Sequence, residues 1–115
     1  ASFVKTDTAK ALDHEHLVKE TLRLYGKLDI AVNNAGIGGP LALTANYPLD
    51  GWQKVIDINL SGVFYAMRYQ LPAMTKGGSI VNIASILGMV ASRQSPAYVA
   101  AKHGVVGLTK ATALE

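Results

Sequence analysis

Two largely apolar runs constrain the fold of this chain more than any other feature. Residues 28–36, LDIAVNNAG, and residues 79–85, SIVNIAS, have strand length and do not alternate between apolar and polar residues. Runs of this kind suit strands that are buried on both faces, as in parallel sheets. The first run ends in Asn33-Asn34-Ala35-Gly36 and the second in Ala84-Ser85. A parallel sheet with a ligand-binding surface at these polar or small strand ends is therefore predicted.

Helical patterns separate these runs. Residues 8–28 carry an approximate helical stripe with Gly26 as a C-terminal stop, and they follow a short strand candidate at residues 2–7. A longer helix begins near Asp50, repeats apolar residues at three- and four-residue steps, and ends between residues 72 and 78. Each helix would carry the chain from one strand to the next.

A last helix completes the alternating order. Ser95 is a suitable N-cap, and Pro96 suits the first turn. Residues 37–48 and 86–95 form loops. The order strand, helix, strand, helix, strand, helix predicts an α/β fold with βαβ units and a parallel sheet.

Composition narrows the function classes. The net charge is +3, with basic residues scattered between acids, so nucleic-acid binding is not predicted. No cysteine is present, which excludes disulfides and thiolate metal sites and makes the cytoplasm the simplest compartment. No apolar run reaches the ~18 residues that a membrane span needs. His14 and His16 would point to different faces of one helix, so no metal site is predicted.

The segment SPAYVAAKHG, residues 95–104, places Tyr98 four residues before Lys102. Four residues along a helix rotate the chain about 40° beyond a full turn, so the two side chains share a face. An ammonium beside a phenol favours the phenolate, and such a phenol can give or take a proton near neutral pH. For this pair alone, the alternative interpretation is a half-buried tyrosine and a surface lysine.

Two further polar residues accompany this pair. Ser85 ends a buried strand, where its hydroxyl can hold a substrate oxygen. Asn59 lies inside the long helix with Gly62 three residues on, and both weaken a helix locally, which could admit a water molecule. An exposed helix position is the alternative for Asn59, although its neighbours Ile58 and Leu60 make full exposure unfavourable.

Four motifs together resemble the short-chain dehydrogenase/reductase family. They are NNAG after a strand, NLSGVF in a helix, the serine that closes IVNIAS, and YVAAK. One motif alone would be weak, since YxxxK often occurs by chance, but four in the expected order and elements are specific. The resemblance covers essentially all 115 residues. It implies the middle of a Rossmann-type, doubly wound parallel sheet with helices on both faces.

The family's catalytic roles fall on four residues by matching position. Tyr98 would be the acid/base that protonates a carbonyl oxygen or deprotonates an alcohol. Lys102 would favour ionisation of Tyr98 and hydrogen-bond the nicotinamide ribose. Ser85 would orient the substrate oxygen and stabilise its developing charge. Asn59 would hold a water molecule in a proton relay from Lys102.

The resemblance also implies cofactor-binding residues besides Tyr98 and Lys102. Asn33, Ala35 and Gly36 match the stretch beside the adenosine and ribose, and Gly36 would allow close backbone approach. Asn33 could equally serve structure within the sheet. Asp7 and Thr8 match positions beside the adenine ring, and the alternative for either is an N-cap of the following helix.

The glycine-rich TGxxxGxG phosphate loop of the family is absent. GIGG at residues 36–39 does not replace it, because Leu41 stands where GxGxxG needs its last glycine and Pro40 interrupts the pattern. Residues 1–115 are therefore expected to be a partial NAD(P)-binding domain that lacks the N-terminal phosphate-binding loop and the C-terminal substrate segment. They are not expected to fold alone as a stable enzyme, because strands one and two, which bridge strand three to strand four, are missing.

The resemblance implies an NAD(P)-dependent oxidoreductase that interconverts an alcohol and a carbonyl compound by hydride transfer. The choice between NAD and NADP and the identity of the small-molecule substrate stay open. The alternative is a non-catalytic, Rossmann-like nucleotide-binding or scaffold domain, and intact Ser85, Tyr98 and Lys102 favour the enzyme. A homodimer or homotetramer is expected, with small residues of the last helix such as Gly104 either at the interface or packed on the sheet.

Overall fold

A computed structural model describes all of residues 1–115. The helices and strands in chain order are α1 (Ala11–Tyr25), β1 (Ile30–Asn33), α2 (Leu49–Ile56), α3 (Gly62–Ala73), β2 (Ser79–Asn82) and α4 (Pro96–Thr112). A π-helical segment, Asp57–Ser61, joins α2 to α3. Short 3₁₀ turns lie at Thr44–Asn46 and Ile86–Gly88.

The two apolar runs form one parallel pair of strands. Their register runs from Ile30 opposite Ser79 to Asn33 opposite Asn82. The Ile83 amide extends the ladder by donating to the Asn33 carbonyl at 3.0 Å. The predicted βαβ unit is confirmed, with strands shorter than the apolar runs because the residues beyond the ladder turn away into loops.

The strand predicted at residues 2–7 is wrong for this structure, since the sheet contains only β1 and β2. A strand is held by hydrogen bonds to a neighbour, and β-forming residues alone do not supply one. The predicted strand order separates this segment from β1 by two further strands. The segment is instead held by side chains, among them the Tyr25 hydroxyl, which donates to Ser2 Oγ at 2.9 Å.

The two faces of the sheet differ in burial. Ala31 and Ile80 face the helices, and Ile80 packs against Val63, Met67 and Val105 of α3 and α4. Alternate strand residues point to the other face. That open face carries Ile30 (68% exposed), Val32 (58%), Val81 (45%) and Ile83 (40%). The chain thus supplies helices for one face of its sheet.

The first helix ends as predicted. Gly26 has φ +73°, and its amide donates to the Leu22 carbonyl. The N-cap alternative for Asp7 and Thr8 is wrong, because the N-cap position is Lys10. Asp7 instead accepts the Ala9 amide at 3.1 Å, which forms a tight turn before the helix.

The predicted long helix is wrong as a single α-helix, because the π-helical segment interrupts it. A π-helical turn contains one residue more than an α-helical turn. Apolar residues spaced by three or four positions fit both kinds of turn, so the sequence pattern does not distinguish them. Gly62 follows the interruption, and a Cβ there would lie 2.7 Å from the Thr8 carbonyl oxygen. The backbone preceding α1 therefore approaches the helix at a point where only glycine fits. No helix of the chain has both the length and the apolar character needed to cross a membrane.

Candidate functional site

A cleft of about 560 Å³ lies at the carboxyl ends of β1 and β2. Its lining combines the turn after β1, the residues after β2 and the first turns of α4, including Gly36, Ile37, Leu41, Ala84, Tyr98 and Lys102. Ligands of parallel α/β sheets bind at this edge. The volume lies within the usual range for small-molecule sites.

Tyr98 and Lys102 share one face of α4, as their spacing predicts. The Lys102 ammonium lies 5.6 Å from the centroid of the Tyr98 ring. Lys102 is only 5% exposed, and its Nζ donates to the Ile83 carbonyl at 2.8 Å. The alternative interpretation of a surface lysine is therefore wrong. A carbonyl at the end of β2 therefore holds this buried ammonium near the Tyr98 ring, among the residues that line the cleft.

Ser85 follows the cleft residue Ala84 and begins the 3₁₀ turn at Ile86–Gly88. Its Oγ accepts the Leu87 amide at 3.1 Å. A serine hydroxyl carries one donor besides its acceptor sites, so the O–H of Ser85 stays available to donate. The turn thus holds the serine side chain and leaves its O–H without a partner in the chain, but the structure does not group Ser85 with the residues that line the cleft.

Asn59 is fully buried in the π-helical segment, so its alternative as an exposed helix residue is wrong. Its Oδ1 accepts the Ile37 amide at 2.8 Å, and its Nδ2 donates to the Ile37 carbonyl at 2.7 Å. A Cβ at Gly36 would lie 3.5 Å from Asn59 Oδ1 and 3.8 Å from Lys102 Nζ. Asn59 therefore fixes the turn that brings the Gly36 backbone next to the ammonium.

Asn33 belongs to a network of amides, with Gln70 buried and Asn33 and Asn82 half-buried, that the sequence did not reveal. Its Nδ2 donates to Asn82 Oδ1 at 2.8 Å and to Gln70 Oε1 at 3.1 Å. Gln70 Nε2 donates back to Asn33 Oδ1 at 2.9 Å, and Asn82 Nδ2 donates to Thr109 Oγ1 at 3.0 Å. The network ties both strands to α3 and α4, which supports the structural alternative for Asn33. The one sequence signal for this network is that an asparagine stands near the end of each apolar run, Asn33 in the first and Asn82 in the second.

The other predicted cofactor-binding residues lie apart from the Tyr98–Lys102 pair. Thr8, Asn33 and Ala35 line a second cavity of about 290 Å³ on the far side of β1. Asn34 borders both spaces. Asp7 lines neither; it is exposed and lies 3.5 Å from the Lys10 ammonium. Of these residues, the structure groups only Gly36 with Tyr98 and Lys102.

The two loops around the cleft are joined directly. The Ala42 amide of the first loop donates to the Gln94 carbonyl of the second at 3.0 Å. Gln94 has φ +63°, a left-handed conformation that is uncommon for a residue with a side chain. Ser95 occupies the N-cap position of α4 as predicted, but its side chain makes no capping bond and lines the cleft instead.

The first loop is packed against the helical core through Gly39. This residue has φ +75°, and a Cβ there would lie 2.4 Å from Val55 Cγ2 and 2.9 Å from the Tyr47 hydroxyl. Val55 is fully buried against Ala97 and Ala101 of α4. The loop that borders the cleft therefore packs against the same cluster of Val55, Ala97 and Ala101 that Tyr98 contacts.

The sequence profile of the family described as short chain dehydrogenase matches residues 1–115. The chain is 48% identical to a cyclohexanol dehydrogenase of Acinetobacter sp. (strain SE19), covering 100% of this chain and 47% of that relative. It is 46% identical to a D-beta-hydroxybutyrate dehydrogenase of Cupriavidus necator, covering 95% of this chain and 43% of the relative. The chain spans about half the length of the curated relatives it matches.

Solved structures give the same result. A structure of levodione reductase superposes with a TM-score of 0.92 at 37% identity, covering 95% of this chain and 43% of that one. A structure of ElxO with NADP bound superposes with a TM-score of 0.94 at 35% identity, covering 98% of this chain and 46% of that one. The likeness therefore extends over nearly all of the residues described above.

Proposed function

Since the chain belongs to the short-chain dehydrogenase family and has its Rossmann-type α/β fold, we propose that the protein is an NAD(P)-dependent oxidoreductase. It interconverts an alcohol and a ketone or aldehyde. The observation that carries the proposal is the buried Lys102 ammonium beside Tyr98, in a cleft at the carboxyl ends of the strands. The cyclohexanol and hydroxybutyrate dehydrogenases among its relatives act on alcohols of this general kind.

The residues around the cleft fit a nicotinamide cofactor. Asn34, Ala35 and Gly36 are exposed at the end of β1, and the Cβ position of Gly36 lies against Asn59 and Lys102. A ribose can approach a backbone without a side chain closely. When bound, the cofactor supplies or accepts the hydride. Lys102 would hold the ribose, and the preference between NAD and NADP stays open.

Tyr98 is the proposed proton donor and acceptor. The neighbouring Lys102 ammonium stabilises negative charge on the phenol oxygen while a proton moves to or from the substrate oxygen. Ser85 donates its free O–H to the same substrate oxygen, because its acceptor side is already engaged by Leu87. These two side chains would orient the carbonyl and neutralise the charge that develops on it.

Asn59 has a positioning role in this proposal. Its side chain is engaged by both polar groups of the Ile37 backbone. A water molecule that relays protons to Lys102 would then be held by the main chain of the π-helical segment, where the regular helical hydrogen bonds are interrupted. The Asn59 side-chain amide holds the π-helical segment against the turn that contains Gly36 and Ile37.

Replacing Tyr98 by Phe tests the proposal in the intact protein. Turnover of an alcohol panel with NAD or NADP should fall by about 10²- to 10⁴-fold, with cofactor binding retained. Tyr69→Phe is the matched control, because Tyr69 lies on α3 outside the cleft. Unchanged behaviour of Tyr98→Phe would instead support the non-catalytic nucleotide-binding or scaffold domain.

A homodimer or homotetramer and a cytoplasmic location belong to the same proposal. Gly104 does not test the interface, since a Cβ there would lie 2.8 Å from Leu60 within the chain. Gly107 has open space around its Cβ position and lies on the exposed side of α4. Gly107→Glu should therefore weaken self-association in light scattering, and an unchanged mass would argue against this helix as the interface. Cell fractionation tests the location.

A further inference from the structure

Residues 41–46 of the loop after β1 form a strap at the border of the cleft. Gly39 before the strap packs on the buried Val55, and Tyr47 after it packs on the cluster that contains Val55. Five of the six strap residues are exposed, and Leu41 lines the cleft. The strap is therefore fixed at its two ends and little buried along its length.

One backbone hydrogen bond joins the strap to the other loop at this border. The Ala42 amide donates to the Gln94 carbonyl at 3.0 Å, and the other backbone hydrogen bonds of the strap are local. Leu41 precedes the donor and Ser95 follows the acceptor, and both of these neighbours line the cleft. Breaking the Ala42–Gln94 bond would therefore release the strap between its anchored ends.

The acceptor of this bond is held in an unfavourable backbone conformation. Gln94 has φ +63° and is the only residue other than glycine with a positive φ. The Cβ of an ordinary residue disfavours this left-handed conformation. When the bond to Ala42 breaks, Gln94 is free to return to a negative φ. The closed strap therefore has an energetic cost that the open strap does not have.

A second cost of the closed strap lies at Tyr47. Its hydroxyl is buried without a hydrogen-bond partner, and the Cβ position of Gly39 lies 2.9 Å from it. A buried hydroxyl without a partner has lost the hydrogen bonds that it makes to water. Residues of this chain cover the atom, so the strap must move to admit a water molecule to it.

We propose that the strap is a gate to the cleft beside Tyr98, and that Gln94 and Tyr47 keep this gate ready to open. Opening breaks the Ala42–Gln94 bond, relaxes the Gln94 backbone and hydrates the Tyr47 hydroxyl. The nicotinamide ring of the proposed function would lie in this cleft, so its entry follows opening. That last step rests on the proposed function, whereas the opening itself does not.

Amide hydrogen exchange at Ala42 of the intact protein measures the opening, with mass spectrometry of peptides that contain this residue. Gln94→Gly removes the backbone cost of the closed strap, so exchange at Ala42 should slow by about 3- to 10-fold. Gln94→Ala is the matched control, because it shortens the side chain but keeps the Cβ, and its exchange should stay within about twofold of the unmodified protein. Exchange that is no slower in Gln94→Gly than in Gln94→Ala would overturn the inference.

The cost at the hydroxyl is tested by Tyr47→Phe, which keeps the ring in its packing. Exchange at Ala42 should again slow by about 3- to 10-fold, because the closed strap no longer buries an unpartnered group. Tyr69→Phe makes the same change on α3, outside the strap, and should leave the exchange rate unaltered. A rate in Tyr47→Phe equal to or above that of the unmodified protein would show that the hydroxyl does not favour opening and would overturn the inference.

The rate of NADH and NADPH binding, followed by stopped-flow fluorescence, tests whether the strap acts as a gate. Gln94→Gly should slow association by the same factor as the exchange at Ala42, since only the open fraction admits the ring. Slower exchange with unchanged association would overturn the gate and leave the proposed function standing. Failure of the unmodified protein to bind either nucleotide would refute the proposed function, and the exchange rates would still decide whether the strap opens.

Discussion

Replacing Gly39 by Ala should destabilise the protein more than any other glycine-to-alanine change in the loop after β1. The residue has φ +75°, which places an alanine in the left-handed region. The added Cβ would also lie 2.4 Å from Val55 Cγ2, and Val55 is fully buried. Two separate penalties therefore act at one position.

The structure separates these penalties through other glycines. A left-handed alanine costs about 1–2 kcal/mol, and an extra methyl group in a packed core costs about 1–3 kcal/mol. Gly26 has φ +73° with nothing within 4 Å of its Cβ position, so Gly26→Ala measures the backbone cost alone. Gly38 lacks both features, and Gly38→Ala should be neutral or stabilise by up to about 1 kcal/mol. Gly39→Ala should cost about 2–5 kcal/mol.

Urea unfolding of the intact protein and its three variants gives the comparison, provided that the m-values agree. The expected order of stability is Gly38→Ala, then Gly26→Ala, then Gly39→Ala as the least stable. If Gly39→Ala lowers the free energy of unfolding no more than Gly26→Ala does, the Val55 and Tyr47 side chains move aside for the added methyl group at no energetic cost. The loop would then not be fixed by the core, which would refute the reasoning.

Two further predictions concern buried amides. Asn59→Ala removes the side-chain groups that bond the Ile37 amide and carbonyl, so it should lower the free energy of unfolding by about 2–5 kcal/mol. Asn46 is exposed, and Asn46→Ala should change the free energy of unfolding by no more than about 0.5 kcal/mol in the same denaturation assay. Gln70→Leu leaves Asn33 with only its bond to Asn82 and should cost about 1–3 kcal/mol. A cost no larger than that of Gln53→Leu, at an exposed position, would show that the amide network does not hold the strands to α3.

The parallel pair and the shared face of Tyr98 and Lys102 were predictable because both depend on local pattern. Apolar runs indicate buried strands, and a four-residue spacing in a helix fixes a common face whatever lies around it. The stop at Gly26 has the same local origin. These features need no knowledge of distant contacts.

The remaining differences come from long-range geometry. Residues 2–7 have strand propensity, but a partner on the adjacent edge decides whether a strand forms. Asn59 of the π-helical segment is hydrogen-bonded to the turn at Ile37, which lies 22 residues earlier in the sequence. Asn33 faces Gln70 because the strand register and the position of α3 place them together, and neither is visible in the local sequence. The catalytic roles of Asn59, Ser85, Tyr98 and Lys102 stay predictions.

The open face of the sheet has a consequence for how these residues behave during synthesis and storage. Ile30, Val32, Val81 and Ile83 form an apolar surface beside two unpaired strand edges. Surfaces of this kind recruit further strands from other copies, which is a route to aggregates. Any layer that packs on these four side chains would therefore suppress aggregation as well as cover the second face of the sheet.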